Sequence, residues 1–458
     1  MTINNVLQKI DDDLQDSLDR LIQLLRIPSI STDPAFAEDC DTAADWLVSD
    51  LKSLGAEASK RKTPGHPMVV GHIGEGAPHL VFYGHYDVQP VDPLDLWDTG
   101  PFDPKIEETP KGKVIRARGA CDDKGQLMTF VEACRAWIAV KGKLPCKITF
   151  FFEGEEESAS PSLVPFMREN AEELTGDIAL ICDTGLFDDD TPLITTQLRG
   201  LLAEEIVISG ADRDLHSGLF GGAAANPGRV MARLIAGLHD DNGRITLPDF
   251  YEGVPELPAN VAEQWAALEF DADAFLGGVG LSVPAGEKGR SALEMVWSRP
   301  TCEVNGLSTG YTGEGFKTVL PAKATAKISF RLVGAQNPDK IRETFRAYCR
   351  SCLPPDCKIR FVEHGGAKAS HMPTTDPAFE KARIALSEEW PKPAAFGGSG
   401  GSIPIAGHFQ EILGLNSMLI GFGKDDDQVH SPNEKYDLSS FHRGIRSWAR
   451  ILDALAEG

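Results

Sequence analysis

"VFYGHYDVQP", residues 81–90, is an apolar run that stops at Gly84 and is followed at once by His85 and Asp87. The run begins at "HLVFYG" and reads as a buried strand with ionisable side chains just past its end. Two runs of the same kind come later, "KITFFFE" at 147–153 and "IALICD" at 178–183. Strands that are apolar along their whole length have both faces covered. Between the first two, "DKGQLMTFVEACRAWIAV" sets Leu127, Phe130, Val131, Cys134, Trp137 and Ile138 on one helical face. Upstream, "NNVLQKIDDDLQDSLDRLIQLL" carries Val6, Ile10, Leu14, Leu18 and Leu21 at helical spacing. Strands alternating with helices predict an α/β domain with a mainly parallel sheet covered by helices on both faces.

The middle of the chain has a different rhythm. "LLAEEIVISG" reads as a strand, and "NPGRVMARLIAGLHD" as a helix with Asn226 as N-cap and Pro227 first inside it. After an irregular insertion between 241 and 297 come strands at "CEVNGL" and "TAKISFRLV". In the latter, Ala326, Ile328, Phe330 and Leu332 alternate with Lys327, Ser329 and Arg331, so one face is buried and the other polar. A helix at "PDKIRETFRAYCRSC" and a strand at "KIRFVEH" complete a β-α-β-β-α-β order, the ferredoxin-like pattern. The expected division is therefore a first domain over 1–199, an inserted α+β module over 200–373, and a return over 374–458. The last helix, "FHRGIRSWARILDALA", is expected to pack on the first domain.

Composition narrows the function. At 458 residues the chain exceeds the roughly 250–300 at which single cores stop growing. A formal charge of −23 argues against nucleic acid or anionic membrane as partner. There is no uninterrupted apolar run of about 18 residues to cross a membrane. No secretory leader is visible at the start, and nine scattered cysteines suit reduced thiols, so a cytoplasmic location is expected. Cys349, Cys352 and Cys357 lack a second pair at zinc-knuckle spacing and read as helix-end thiols.

Ligands of open α/β sheets bind beyond the carboxyl ends of the strands. His85 and Asp87 lie there, as do Glu155, Glu156 and Glu157 in "EGEEES" and Asp183 after "IALIC". Asp122 and Asp123 sit at a loop-to-helix junction, and "DDDQVHSPNE" supplies His430 in a polar loop. Taken singly, the aspartates read as helix caps, the glutamates as a solvated face and each histidine as structural. Together they are carboxylates that repel unless a cation or shared protons neutralise them. Histidine with carboxylate is a mixed N/O set suited to zinc or another first-row metal. Asp87, two residues after His85, is positioned to orient the imidazole.

The ordered motifs "GHYDVQP", "RGACDDKGQ", "EGEEES", "CDTG", "DLHSG", "GEGFKTVLPAKATAKISFRLV", "GGSIP" and "HSPNE" span nearly the whole chain. This set closely resembles the M20 family of co-catalytic metallopeptidases, especially its carnosinase-like dipeptidase branch. The resemblance implies a catalytic domain interrupted by a lid or dimerisation domain, and a homodimer formed through that insert. It implies two divalent ions, zinc foremost with manganese or cobalt as alternatives. His85 and Asp183 are expected on one ion, Glu157 and His430 on the other, with Asp122 bridging. Glu156 is expected as the general base on the water between them, with Asp87 beside His85 in the catalytic group. His216 of "DLHSG" is expected as the oxyanion donor, lent between subunits in dimeric relatives, and Arg331 as the carboxylate-binding arginine. Gly401 and Ser402 are expected in a backbone-lined substrate loop. Close dipeptidases often carry Arg-Glu before "GGSIP", where this chain has Gly398 and Ser399, which leaves the substrate preference open. The implied activity is cleavage of dipeptides or small peptides. The alternatives are an N-acyl-amino-acid deacylase with the same ligands, or a metal-binding regulatory protein without turnover.

Overall fold

The computed structural model describes residues 2–401 and 403–456. The chain forms two compact units, Met1–Thr196 with Met372–Phe396 and His408–Gly458, and Gln197–His371 with Gly397–Gly407.

At the centre of the first unit four parallel strands lie in the order Lys147–Glu153, His79–His85, Ile178–Ile181 and Asn416–Ile420. Phe82 stands opposite Phe150 on one side and Leu180 on the other. The apolar runs are continuous because successive residues bury on opposite faces. Phe82 stacks on Phe130 of the helix Lys124–Lys141 at 3.9 Å, and both meet Trp448 of the helix Leu438–Ala456 edge-on. On the other face Tyr83 and Phe151 meet Phe409, and Phe151 stacks on Phe166 at 5.8 Å. Each such ring contributes about 1.5–3 kcal/mol by leaving water.

Two features go beyond these expectations. The sheet is parallel only at its centre: Met68–Ile73 runs antiparallel to both Glu57–Arg61 and Lys147–Glu153, and Leu193–Leu198 antiparallel to Asn416–Ile420. The first of these pairs is joined by the short connection 62–67, and a parallel pair would need a crossover of a dozen or more residues. The N-terminal segment is two helices, Ile3–Asp12 and Leu14–Leu25, parted at Asp13 with φ −99° and ψ 9°. Aspartate is a poor helix former, and the break falls at the end of the run Asp11-Asp12-Asp13. A three-stranded antiparallel sheet, Lys435–Asp437, Gly112–Arg116 and Lys105–Thr109, had no clear sequence signal.

The second unit carries a four-stranded antiparallel sheet in the order Thr301–Thr309, Lys323–Leu332, Gly200–Ser209 and Lys358–Ala367. Helices Pro227–Ala236 and Pro338–Ser351 complete a β-α-β-β-α-β chain order. Asn226 Oδ1 accepts from the amides of Gly228 and Arg229, so the cap closes the start of its helix. Ile206, Met231, Ile328, Phe330 and Phe345 share the apolar core. Between 241 and 297, expected as irregular, lie three short helices, the last opened by a Ser291–Glu294 capping box. Cys349 and Cys357 are buried in this core, and among the described residues no cysteine joins a metal-ligand group. No helix among the described residues is long and apolar enough to cross a membrane.

Candidate metal centre

The centre lies within the first unit, past the carboxyl ends of its parallel strands. His85 closes the strand His79–His85, Glu156 and Glu157 form a 3-10 turn after Lys147–Glu153, and Asp183 follows Ile178–Ile181. Asp122 immediately precedes Asp123, the N-cap of the helix Lys124–Lys141, and the Asp122–Asp123 peptide is cis. His430 comes from the loop before the strand Lys435–Asp437 and holds a left-handed φ of 60°.

Asp122 is the junction. Its Oδ1 lies 3.0 Å from His85 Nε2, and its Oδ2 lies 2.9 Å from His430 Nε2. Asp183 Oδ2 is 3.9 Å from His85 Nε2, and Glu157 Oε2 is 3.2 Å from His430 Nε2. His85, Asp122 and Asp183 thus make one group, and Asp122, Glu157 and His430 another, each with ligand atoms within 4.8 Å of one another. A cavity of about 230 Å³ adjoins Asp122 and Asp183 and is also lined by Gln126, Thr184, Lys424 and Val429.

The electrostatics ask for cations. His85 Nδ1 lies 3.1 Å from the Asp87 carbonyl, which can only accept, so Nδ1 carries hydrogen and Nε2 turns to the carboxylates. Each contact of an imidazole Nε2 with a carboxylate then needs a proton or a cation between the two atoms. Burial works to lower the His85 pKa, but its bonds to Asp122 and Asp87 raise it well above the ordinary value. Bonds to Asp122 and Glu157 push His430 up to about 10. Burial, then the nearby Asp122 charge, pushes Asp183 up to about 8. Burial would raise Asp122 too, but hydrogen bonding to His430 and His85 holds it well below the carboxylate range. The donor set fits a pair of first-row divalent ions.

Glu155, Glu156 and Glu157, three of the four glutamates of "EGEEES", have separate work. Glu155 is buried, with Oε1 accepting from His66 N and Oε2 from Ser162 N. Glu157 belongs to the second ligand group, and Gln89 Nε2 donates to its Oε2 at 2.7 Å. Glu156 stands outside both ligand groups, and burial, the largest influence on it, raises its pKa. Gly154 admits this turn because a Cβ there would lie 2.4 Å from the Tyr86 hydroxyl. The fully buried Asp87 meets His85 Nδ1 more closely through its carbonyl than through its carboxylate, at 3.1 against 3.4 Å. Its carboxylate oxygens accept instead from Glu156 N and Glu157 N.

His216, Arg331 and Gly401 belong to the second unit, and Ser402 lies outside the described residues. His216 is exposed and caps the turn Ser217–Phe220, its Nδ1 accepting from Gly218 N at 3.0 Å. That bond leaves the hydrogen on Nε2, so the ring presents a donor. Arg331 is half-buried on the polar face of its strand, paired with Thr301 and Leu201. A Cβ at Gly398, in the strand Ala395–Ser399, would lie 2.7 Å from Trp297 Cβ, so there is no room for a larger residue there without movement. Gln89 and Glu434 are not singled out by the sequence reading, and Asp123 appears there only at the loop-to-helix junction beside Asp122. Asp123 Oδ2 accepts from His85 N at 3.0 Å, and Glu434 accepts from Asp122 N at 3.1 Å. Glu434 had a signal, as the last residue of "HSPNE"; Gln89 looks like an ordinary polar residue.

The profile of Peptidase family M20/M25/M40 matches residues 81–454. The chain is 29% identical over 485 aligned positions to a Cys-Gly metallodipeptidase of Saccharomyces cerevisiae, covering 100% of this chain and 98% of the relative. It is 26% identical to the Beta-Ala-His dipeptidase of Homo sapiens, covering 99% and 93%. Among solved structures, an M20 family metallo-carboxypeptidase from Sulfolobus solfataricus matches with a TM-score of 0.78 at 30% identity, covering 96% of this chain and 99% of that one.

Proposed function

The chain belongs to peptidase family M20/M25/M40 and is a peptide-bond hydrolase, and from that premise we propose that it is a two-ion dipeptidase with Glu156 as general base. The observation that carries this reading is the shared carboxylate of Asp122, one oxygen toward His85 and the other toward His430. His85, Asp122 and Asp183 would hold one ion, and Asp122, Glu157 and His430 the other. Zinc is the proposed metal, with manganese or cobalt as alternatives. When bound, the ions supply Lewis acidity that lowers the pKa of water and polarises a carbonyl.

The remaining work falls to the chain. Glu156, held by its main chain to Asp87 and outside both ligand groups, takes a proton from the attacking water on its carboxylate and delivers it to the leaving amine. The burial that raises its pKa brings it toward the range in which a base can also act as the acid that returns the proton. His216 offers Nε2–H to the oxygen on which negative charge develops. Arg331 binds the free carboxylate of the substrate through its guanidinium fork. Gly401 and Ser402 line the substrate loop.

In this reading residues 1–199 and 374–458 are the catalytic domain, and 200–373 is an inserted ferredoxin-like lid through which two chains pair. The nine free cysteines support a cytoplasmic location. A screen of dipeptides, Cys-Gly and β-Ala-His among them, against N-acyl amino acids tests the assignment, with metal content measured on the same protein. Metal-dependent cleavage of dipeptides is expected. Cleavage of N-acyl amino acids alone would make the chain a deacylase, and binding of metal without turnover of either class would overturn the catalytic reading.

A further inference from the structure

Glu434 is a completely buried carboxylate surrounded by donors. Its Oε1 accepts from Cys121 N at 2.9 Å and Asp122 N at 3.1 Å. Its Oε2 accepts from Gly119 N at 3.0 Å and Arg118 Nη1 at 2.8 Å. The main chain is fastened as well, since Ala117 N donates to the Glu434 carbonyl and Lys435 pairs with Arg116 in the next strand. Arg118 is itself buried, donates to the Pro90 carbonyl and lies over the Trp97 ring. One side chain therefore binds the turn that ends in Asp122 to the segment that carries His430.

We infer that Glu434 is the positioning residue that sets Asp122 against His430, and so governs the ion held by Asp122, Glu157 and His430. The inference rests on the two-ion reading above. His430 is half exposed and sits at a left-handed φ of 60°, a conformation a non-glycine residue keeps only when its surroundings impose it. The His85 side of the centre has separate anchors, His85 N on Asp123 Oδ2 and His85 Nδ1 on the Asp87 carbonyl. Neither passes through Glu434. Loss of Glu434 should then weaken the two ions unequally.

The chemistry of the contact requires a carboxylate. All four partners are donors, so both oxygens must accept, and an amide offers only one acceptor. In Glu434→Gln the amide NH₂ must face either the amides of Cys121 and Asp122 or those of Gly119 and Arg118. Glu434→Asp keeps two accepting oxygens on a shorter arm.

Calorimetric titration of Zn²⁺ into chelator-stripped protein tests this. The wild type should take up two ions per chain. Glu434→Gln should bind one about 10–100-fold more weakly, the usual effect of losing an outer-shell partner, and the other with a clearly smaller loss, since Asp122 serves both. Glu434→Asp should recover part of the lost affinity. His430→Ala identifies the weakened ion, because adding Glu434→Gln to it should remove no further site. Equal weakening of both ions, or unchanged affinities with only a lower melting temperature, would make Glu434 merely structural and overturn the inference. Should Glu434→Gln fail to fold, the same comparison on Glu434→Asp decides between those results. Two ions in the wild type with no selective loss in the variants would sink this inference and leave the two-ion reading standing. Fewer than two ions in the wild type would overturn both.

Discussion

The main-chain N–H of Glu157 donates to Asp87 Oδ2 at 3.0 Å. That bond fastens the turn carrying Glu156 and Glu157 to the strand end carrying His85, so ligands from neighbouring strands share one buried anchor. The carboxylate does this work because it accepts at both oxygens, the other taking Glu156 N at 3.2 Å. The placement of Glu156 and Glu157 relative to His85 is thereby set through one buried carboxylate.

Glu156 and Asp122 should separate when each is removed. Glu156→Gln is expected to leave metal content near normal while kcat falls by about 10²–10⁴, the share typical of a general base. Asp122→Ala should cost metal occupancy as well as turnover, because both ligand groups include it. Metal analysis beside steady-state kinetics checks the pair. Loss of both ions in Glu156→Gln would make Glu156 a ligand.

Metal binding should release protons and strengthen as pH rises. In the ion-free protein His430, raised to about 10, is protonated at pH 7, and Asp183, raised to about 8, is largely so. Both must lose those protons to bind a cation, so affinity should climb with pH, less steeply above about 8 once Asp183 has titrated, and level off only as His430 titrates near 10. Calorimetry in buffers of different ionisation enthalpy reads the protons directly. Stripping the ions should also lower the melting temperature, since a ligand at a hundredfold excess over its Kd stabilises by about 2.7 kcal/mol. An affinity independent of pH over this range would contradict the ligand assignment.

Much of this centre is legible in the sequence because parallel strands deliver their C-terminal residues to one edge. "HLVFYGH", "KITFFFE" and "IALICD" announce both strand and position, since strands buried on both faces are continuous apolar runs. The hairpin strand Glu57–Arg61 escaped because its edge residues are half-exposed and polar. Asp13 escaped because a one-residue break leaves the apolar spacing of two helices nearly in phase. Gln89 and Glu434 are tied to the centre only by what they touch, and contacts between residues as far apart in sequence as Asp122 and Glu434 have no periodic signature.

Recognition of the substrate's carboxylate should run through Arg331. A dipeptide amide is expected to be a poor substrate for the wild type compared with the free acid. Arg331→Ala should narrow that difference, because it removes the partner of the charge and leaves the amide little affected. The ratio of kcat/KM for acid and amide in the two proteins is the measurement. An unchanged ratio would assign the carboxylate to another group.

Pairing of two chains gives the most demanding prediction, because it asks whether one active site draws on both. His216 is exposed, with its Nε2–H free of the turn that its Nδ1 caps, as a donor lent to another chain must be. His216→Ala and Glu156→Gln should each be nearly inactive as homodimers. In a heterodimer of the two, the chain with intact Glu156 receives His216 from its partner, while the other site lacks both groups. Random exchange of a one-to-one mixture makes about half the dimers mixed, each with one good site of two, so activity should return to about a quarter of wild type for closed two-fold pairing with independent sites. Subunit exchange is verified by native mass spectrometry on chains of different isotopic mass, and activity is followed over the same time course. Recovery that tracks the heterodimer fraction would establish the shared site. Verified exchange without recovery would mean that His216 serves its own chain or does not take part in the chemistry.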